Sequence, residues 1–185
     1  MINVSLLKQI CEIPGAPGFE KPVRDLVVSL VSPHVDEVRI DNIGNVIALK
    51  KGTRNPDGKR VMLAAHLDEI GFIVSHIDEQ GFLRFNTLGG FDPKTLTAQR
   101  VIVHGKKDLI GVMGSKPIHV MTPEEKTKLS KTTDFFIDLG MPKEEVEKYI
   151  TIGDPVTRDR ELIEMGDCVN CKSIDNRVSV FIVIE

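Results

Sequence analysis

Neither sign of charge is in large excess in this 185-residue chain, and no internal repeat or low-complexity segment interrupts it. The formal net charge is -3 with 28% of residues charged. That leaves no basic surplus for a nucleic-acid backbone and no long acidic tail, so nucleic acid is not an expected partner. No apolar run approaches the roughly 20 residues that span a bilayer. The closing VSVFIVIE is too short, and no membrane association is expected. The opening MINVSLLKQICEIPGAPG places Lys8 and Glu12 inside its apolar stretch, so it lacks the charged start, sustained apolar core and small-residue cleavage site of a signal peptide. Cysteine is sparse, at three residues, as suits a reducing compartment. Together these features lead to the expectation of a soluble, cytoplasmic protein. Cys168 and Cys171 form one C-x-x-C pair, but a structural zinc site wants four ligands and no second cluster accompanies it. Two thiols at a strand turn is the favoured reading. P-loop, G-x-G-x-x-G, H-E-x-x-H and G-x-S-x-G patterns are all missing, which removes the common nucleotide, zincin and serine-hydrolase chemistries. Metal chemistry is what remains.

What is present is 41% hydrophobic residues, enough for one domain or two small ones. Val23, Leu26, Val27, Leu30 and Val31 recur at helical spacing between Pro22 and Pro33, predicting an amphipathic helix. VRIDNIGNVIALKKG then predicts a hairpin turning at Asn42, Gly44 and Asn45. The NPDG cluster marks a turn before RVMLAAHLD, whose unbroken apolar run suits a strand buried on both faces of a parallel sheet. After Gly71 the pattern changes. FIVSHI, GFLRFNTL, RVIVHG and LIGVMG are short strands punctuated by glycine, which predicts a small β-barrel. TPEEKTKL and PKEEVEKYI read as solvent-exposed helices, opened by proline with Glu early and Lys late. Past Asp167 come a strand-like NCKSI and a helix starting at Asp175. The expected organisation is an α/β domain split by a β-rich insert, with residues 1–70 before it, 71–163 within it and 164–185 after it.

Two short motifs carry the candidate chemistry. In AAHLDEIGF, His66 and Asp68 stand two apart at a strand end and project to the same side. A metal-ligating histidine is commonly held in one tautomer by a carboxylate on its other ring nitrogen, so the pair could supply a ligand and its orienting partner. It could equally be a partly buried histidine bonded to an acid for structural reasons. In KSIDNRV, Asp175 could cap a helix or bridge two cations, and Arg177 could pair with Asp175 or another acid. His104 and His119 have no acid at H-x-D spacing, and His34, His76 and His104 are read as loop or strand residues.

The runs PGFE, DEV-x-x-D-x-x-GN, VMLAAHLDEIGFIV, GFLRF, GVMGSKPIH, FFIDLG, IGD and K-x-I-D-N-R-V occur in one order along nearly the whole chain. In this the sequence resembles the TET-type glutamyl/leucyl aminopeptidases, two-metal enzymes also labelled deblocking aminopeptidases or endoglucanases. The resemblance implies a zinc-peptidase-like α/β catalytic domain, incomplete here, interrupted by a PDZ-like β-barrel used for dimerisation and higher assembly, up to a dodecamer. It implies that His66 ligates one metal, that Asp68 orients His66, and that Asp175 bridges two ions, zinc or cobalt. The ions would activate a water to cleave the N-terminal residue from a peptide substrate.

The chain also departs from that pattern. Family members run to nearly twice this length, and their later portion carries a Glu-Glu pair, a further acidic ligand and a final histidine. No residue here is assigned as general base, since Glu185 is too close to Asp175 to serve. Ser179 stands where glycine is frequent. The expectation is therefore a chain inactive alone, with a catalytic sheet left partly uncovered. The alternative is a non-catalytic oligomerisation or interaction module that retains the barrel. A glycosidase ranks last, because no pair of facing carboxylates is identifiable.

Overall fold

The structure, a computed structural model, describes residues 2–53 and 58–185. The turn expected at NPDG rests on Asn55, Pro56 and Asp57, which lie outside the described residues. The chain divides into two compact units, one formed by residues 1–69 with 161–185 and the other by 70–160.

In the first unit, helix α1 (Val4–Glu12) begins where Asn3 Oδ1 accepts a hydrogen bond from Leu6 N at 3.1 Å, satisfying one of the amides a helix start leaves unpaired. Leu7, Ile10 and Cys11 face the core, the i, i+3, i+4 pattern of one helix face. Helix α2 (Lys21–Val31) carries Pro22 in its first turn and buries Val23 and Val27. These side chains pack with Leu162, Val180 and Phe181, and each fully buried aliphatic contributes about 1.5–3 kcal/mol. The hairpin pairs β1 (Glu37–Ile40) with β2 (Val46–Leu49) antiparallel. Its turn is tied by Asp41, whose carboxylate accepts from Ile43 N, Asn45 N and Asn45 Nδ2 at 2.8–3.0 Å. Gly44 takes φ +96° there, a conformation that favours glycine.

The expected buried strand over RVMLAAHLD is a correction. Residues 59–69 carry no strand assignment, and Val61, Met62 and Leu63 are exposed. An apolar run is buried on both faces only when neighbouring strands flank it, and among the described residues none pairs with this segment. Likewise only Asn170 of NCKSI is in a strand, the end of β10 (Cys168–Asn170), which pairs with β9 (Ile163–Met165).

The second unit is a closed antiparallel barrel in the order β3–β4–β7–β6–β5–β8. Its strands are β3 (Gly71–Ile77), β4 (Leu83–Leu88), β5 (Arg100–His104), β6 (Asp108–Ser115), β7 (Phe135–Asp138) and β8 (Pro155–Arg158). Period-2 alternation sends Leu83 and Phe85 of β4 and Val101 and Val103 of β5 inward. Phe72, Phe85 and Phe91 form the aromatic centre, with ring centroids 4.9 Å apart for Phe72–Phe85 and 4.3 Å for Phe72–Phe91. A Cβ at Gly111 would come within 2.6 Å of Ile137 Cγ2, so strand β6 can lie against β7 only with glycine there. His104 joins three strands, with Nδ1 2.9 Å from Asp108 Oδ1 and Nε2 2.9 Å from Thr157 Oγ1.

Strands β7 and β8 are additions to the sequence reading. The helical pieces differ from it in part. Helix α3 (Pro123–Lys126) is a single turn closed by a Thr122/Glu125 capping box, with no buried residue. Helix α4 (Lys143–Tyr149) is not simply solvent-exposed, because Val146 and the following Ile150 enter the barrel core. Its acidic start and basic end hid this single buried stripe.

Ile137→Ala should lower stability by about 2–5 kcal/mol through the cavity it opens, whereas Ile110→Ala, on β6 and 67% exposed, should stay within about 0.5 kcal/mol of the parent. Urea unfolding followed by far-ultraviolet circular dichroism measures both.

Candidate metal centre

His66 and Asp68 lie on the segment entering the second unit, and Asp175 lies near the start of α5 (Ile174–Ile184). Local backbone brings them together. Asp175 (φ -85°, ψ 106°) and Asn176 (φ -122°, ψ 32°) are not helical, and the peptide bond between them is cis. Regular helix therefore resumes only after Asn176, later than the Asp175 start read from the sequence. No side-chain cap hydrogen bond is made at this end of α5, where the N-cap position is Ser173.

The Asp175 side chain is 97% exposed, and its Oδ1 stands 3.4 Å from His66 Nε2. His66 Nδ1 is 2.9 Å from Asp68 Oδ1. Asp68 is therefore placed to accept the Nδ1–H, which leaves the Nε2 lone pair directed at a carboxylate oxygen. Two lone-pair donors bound tetrahedrally to one ion at about 2.0–2.1 Å stand ~3.4 Å apart, the separation these atoms have. The residues present thus fit two positions of a coordination shell. Among the described residues no group of three or more His, Cys, Asp or Glu side chains is placed to hold an ion.

Beneath these exposed groups lies a buried ionic cluster. Arg177 is fully buried, with Nε donating to Leu67 O at 2.5 Å and Nη1 to Ile10 O at 2.6 Å and Ile13 O at 3.2 Å. Its Nη2 lies 4.0 Å from Glu69 Oε1, and Lys172 Nζ donates to the same oxygen at 2.5 Å. A Cβ on Gly15 would fall 2.5 Å from Nη2, so the chain can pass this guanidinium only as glycine. Burial pushes the Lys172 ammonium and the Arg177 guanidinium below their usual pKa values, and Glu69 opposes that shift in both. Arg177 therefore answers to another acid and to carbonyls, and its partner is Glu69, not Asp175. The sequence reading missed Glu69 and Lys172. Their one signal was charge set inside otherwise apolar or small-residue stretches, HLDEIGF and NCKSI.

A family model described as M42 glutamyl aminopeptidase matches residues 44–185. The chain belongs to the M42 glutamyl aminopeptidase family. Among curated relatives, the lysyl aminopeptidase of Pyrococcus furiosus is 37% identical over 194 residues, covering all of this chain and 54% of the relative. Among solved structures, the TET aminopeptidase of a marine-sediment Thaumarchaeota archaeon superposes with a TM-score of 0.91 at 35% identity, over 98% of this chain and 51% of that one. The TET1 peptidase of Pyrococcus horikoshii superposes with a TM-score of 0.85 at 30% identity, over 98% and 54%. That protein is described as able to assemble into a tetrahedron or a large octahedral shell. The chain spans about half the length of the curated relatives it matches. The M42 membership and these neighbours bear out the TET-type resemblance and the α/β fold with its β-barrel.

Glu69→Ala should cost about 3–5 kcal/mol, because it leaves two buried cations without their carboxylate. Arg177→Lys should also destabilise the chain, since an ammonium cannot reach the three carbonyls that the planar fork serves. Guanidinium unfolding curves of the two variants check both statements.

Proposed function

We propose that this chain carries the first part of a metallo-aminopeptidase site that removes N-terminal residues from peptides. The observation that carries the reading is the facing pair His66 Nε2 and Asp175 Oδ1, 3.4 Å apart, with Asp68 behind the imidazole at 2.9 Å. In this reading His66 ligates one ion through Nε2, and Asp68 holds the ring in the tautomer that leaves Nε2 free. The carboxylate of Asp175 has two oxygens and would supply a donor to each of two ions. The ions are zinc or cobalt, two per complete site, and when bound they would polarise the scissile carbonyl and activate water. The buried Glu69, Lys172 and Arg177 keep the two ligand-bearing segments in register from below.

Two ligand side chains cannot complete the shells of two ions, each of which wants about four donors. No residue within reach of His66 or Asp175 is offered as a general base. The site is therefore proposed to be inactive in this chain alone and to be completed by residues that correspond to the rest of the relatives' length. The barrel is proposed as the self-association module, leading to a dimer and on to a dodecamer. Two things support it: the assemblies described for the Pyrococcus horikoshii relative, and the exposed Ile110, Val112, Ile118 and Val120 on this unit. That same surface favours the second reading, in which the chain by itself is a non-catalytic oligomerisation module.

Incubation of the chain with a panel of amino-acid p-nitroanilides and added zinc or cobalt should release no nitroaniline above a chelated control. Metal-dependent turnover that disappears in His66→Ala would instead assign full activity to these 185 residues. Equilibrium dialysis should find weak zinc binding in the parent and weaker still in His66→Ala. Sedimentation velocity should show oligomers that Ile110→Asp dissociates, and a monomeric parent would remove the assembly reading.

A further inference from the structure

The barrel carries a cleft that the metallopeptidase reading does not use. Its volume is about 380 Å³, and it is lined by His76 and Ile77 of β3, Lys143 and Glu147 of α4, and residues 150–152. One wall is a strand edge. Strand β8 starts at Pro155, opposite Ile73, and its side of the ladder ends at Val74. There Val74 N donates to Asp154 O at 2.9 Å, and Gly153 N donates to Val74 O at 2.8 Å. Strand β3 runs on to Ile77 with only β4 paired beside it. Backbone groups alternate sides along an antiparallel strand, and Asp78 N donates to Phe82 O on the β4 side. Ile77, one residue earlier, therefore turns its N–H and C=O to the edge that β8 leaves uncovered. An uncovered edge of this kind is a template for another strand.

The other wall is α4. Lys143 and Glu147 stand four apart and share one helix face, while Val146 and Ile150 enter the barrel core. Both ends of the helix are seated on glycine, since a Cβ at Gly81 would collide with Met141 O and Lys143 N, and one at Gly105 with Tyr149 O. Lys143 Nζ donates to Glu79 Oε1 at 2.7 Å and ties the helix to the turn after β3. The cleft is thus preformed, and an incoming chain does not have to order it. Its charges are unbalanced. Lys143 is taken by Glu79 and Lys148 by Glu145, which leaves the exposed Glu144 and Glu147 in no ion pair among the described residues. Ile152, also on the lining, is exposed.

We propose that this cleft docks an extended, basic peptide segment. The segment adds as a short strand along the β3 edge, hydrogen-bonded to the N–H and C=O of Ile77. Its lysine or arginine side chain meets Glu147, and an apolar side chain covers Ile152. Main-chain pairing supplies affinity, and these two side-chain contacts supply selectivity. Glu144 and Glu147 repel an acidic segment. A helical segment has no free backbone groups to offer the edge. The proposal concerns the barrel alone and depends on neither the metal site nor the barrel's self-association.

The test is fluorescence anisotropy of a fluorescein-labelled, acetylated and amidated hexapeptide of alternating lysine and valine, titrated with the 185-residue chain. The parent should bind it saturably. Glu147→Lys, or glutamate for lysine in the peptide, should weaken binding about fivefold or more, the scale of a lost rim ion pair with a new like-charge contact. Methylating alternate backbone nitrogens of the peptide, which keeps its charge and removes its strand donors, should abolish saturable binding. Glu124→Lys, the same charge change on α3, which does not line the cleft, should bind as the parent. Hydrogen–deuterium exchange should show the Ile77 amide slowed by bound peptide. No saturable binding, equal binding by Glu147→Lys or by the methylated peptide, or protection confined to another segment would each overturn the proposal. Protection of the Ile77 amide that tracks dimer formation without peptide would give the edge to a second copy and overturn it equally.

Discussion

The first unit is organised around one buried guanidinium. Arg177 has no exposure, yet its charge is spread over the carbonyls of Ile10, Ile13 and Leu67 and lies near the carboxylate of Glu69. A buried cation is tolerated only where its donors are met, so three distant stretches of chain must converge on it: the end of α1, the H-x-D segment and the start of α5. That convergence also decides where the exposed chemistry sits. Asp68 directly precedes the buried Glu69, and Asp175 stands two residues before the buried Arg177, so fixing each buried side chain fixes the exposed one beside it. The His66–Asp175 approach is the outward consequence of an inward constraint.

The barrel solves a different problem. Six short strands close on themselves, which removes the free edges that short antiparallel strands otherwise expose. Its core is aliphatic and aromatic, and the partly buried His104 is held between Asp108 and the buried Thr157. The first unit has no such closure. Its β1–β2 and β9–β10 ribbons are separate, and the apolar Val61, Met62 and Leu63 stand exposed. One unit satisfies its own hydrogen bonds, whereas the other leaves apolar chain uncovered.

By itself the sequence determined the local elements. Helical spacing from Val23 to Val31, the Asn-Gly turn after β1 and the glycine-punctuated strands after Gly71 are signals within a few residues, and side-chain periodicity reports them directly. It also offered His66, Asp68 and Asp175 as candidates, because an H-x-D spacing and a lone D-N-R are legible without a fold. Only the tertiary structure decided what these residues face. Arg177 turned inward to Glu69, not to Asp175. The run RVMLAAHLD, expected to be a buried strand, pairs with no strand among the described residues, because a strand's burial depends on neighbours that its own residues do not encode. Such contacts lie between positions far apart in the chain, where no periodicity reaches, and the cost of burying a charge selects among them only once the chain has closed around it.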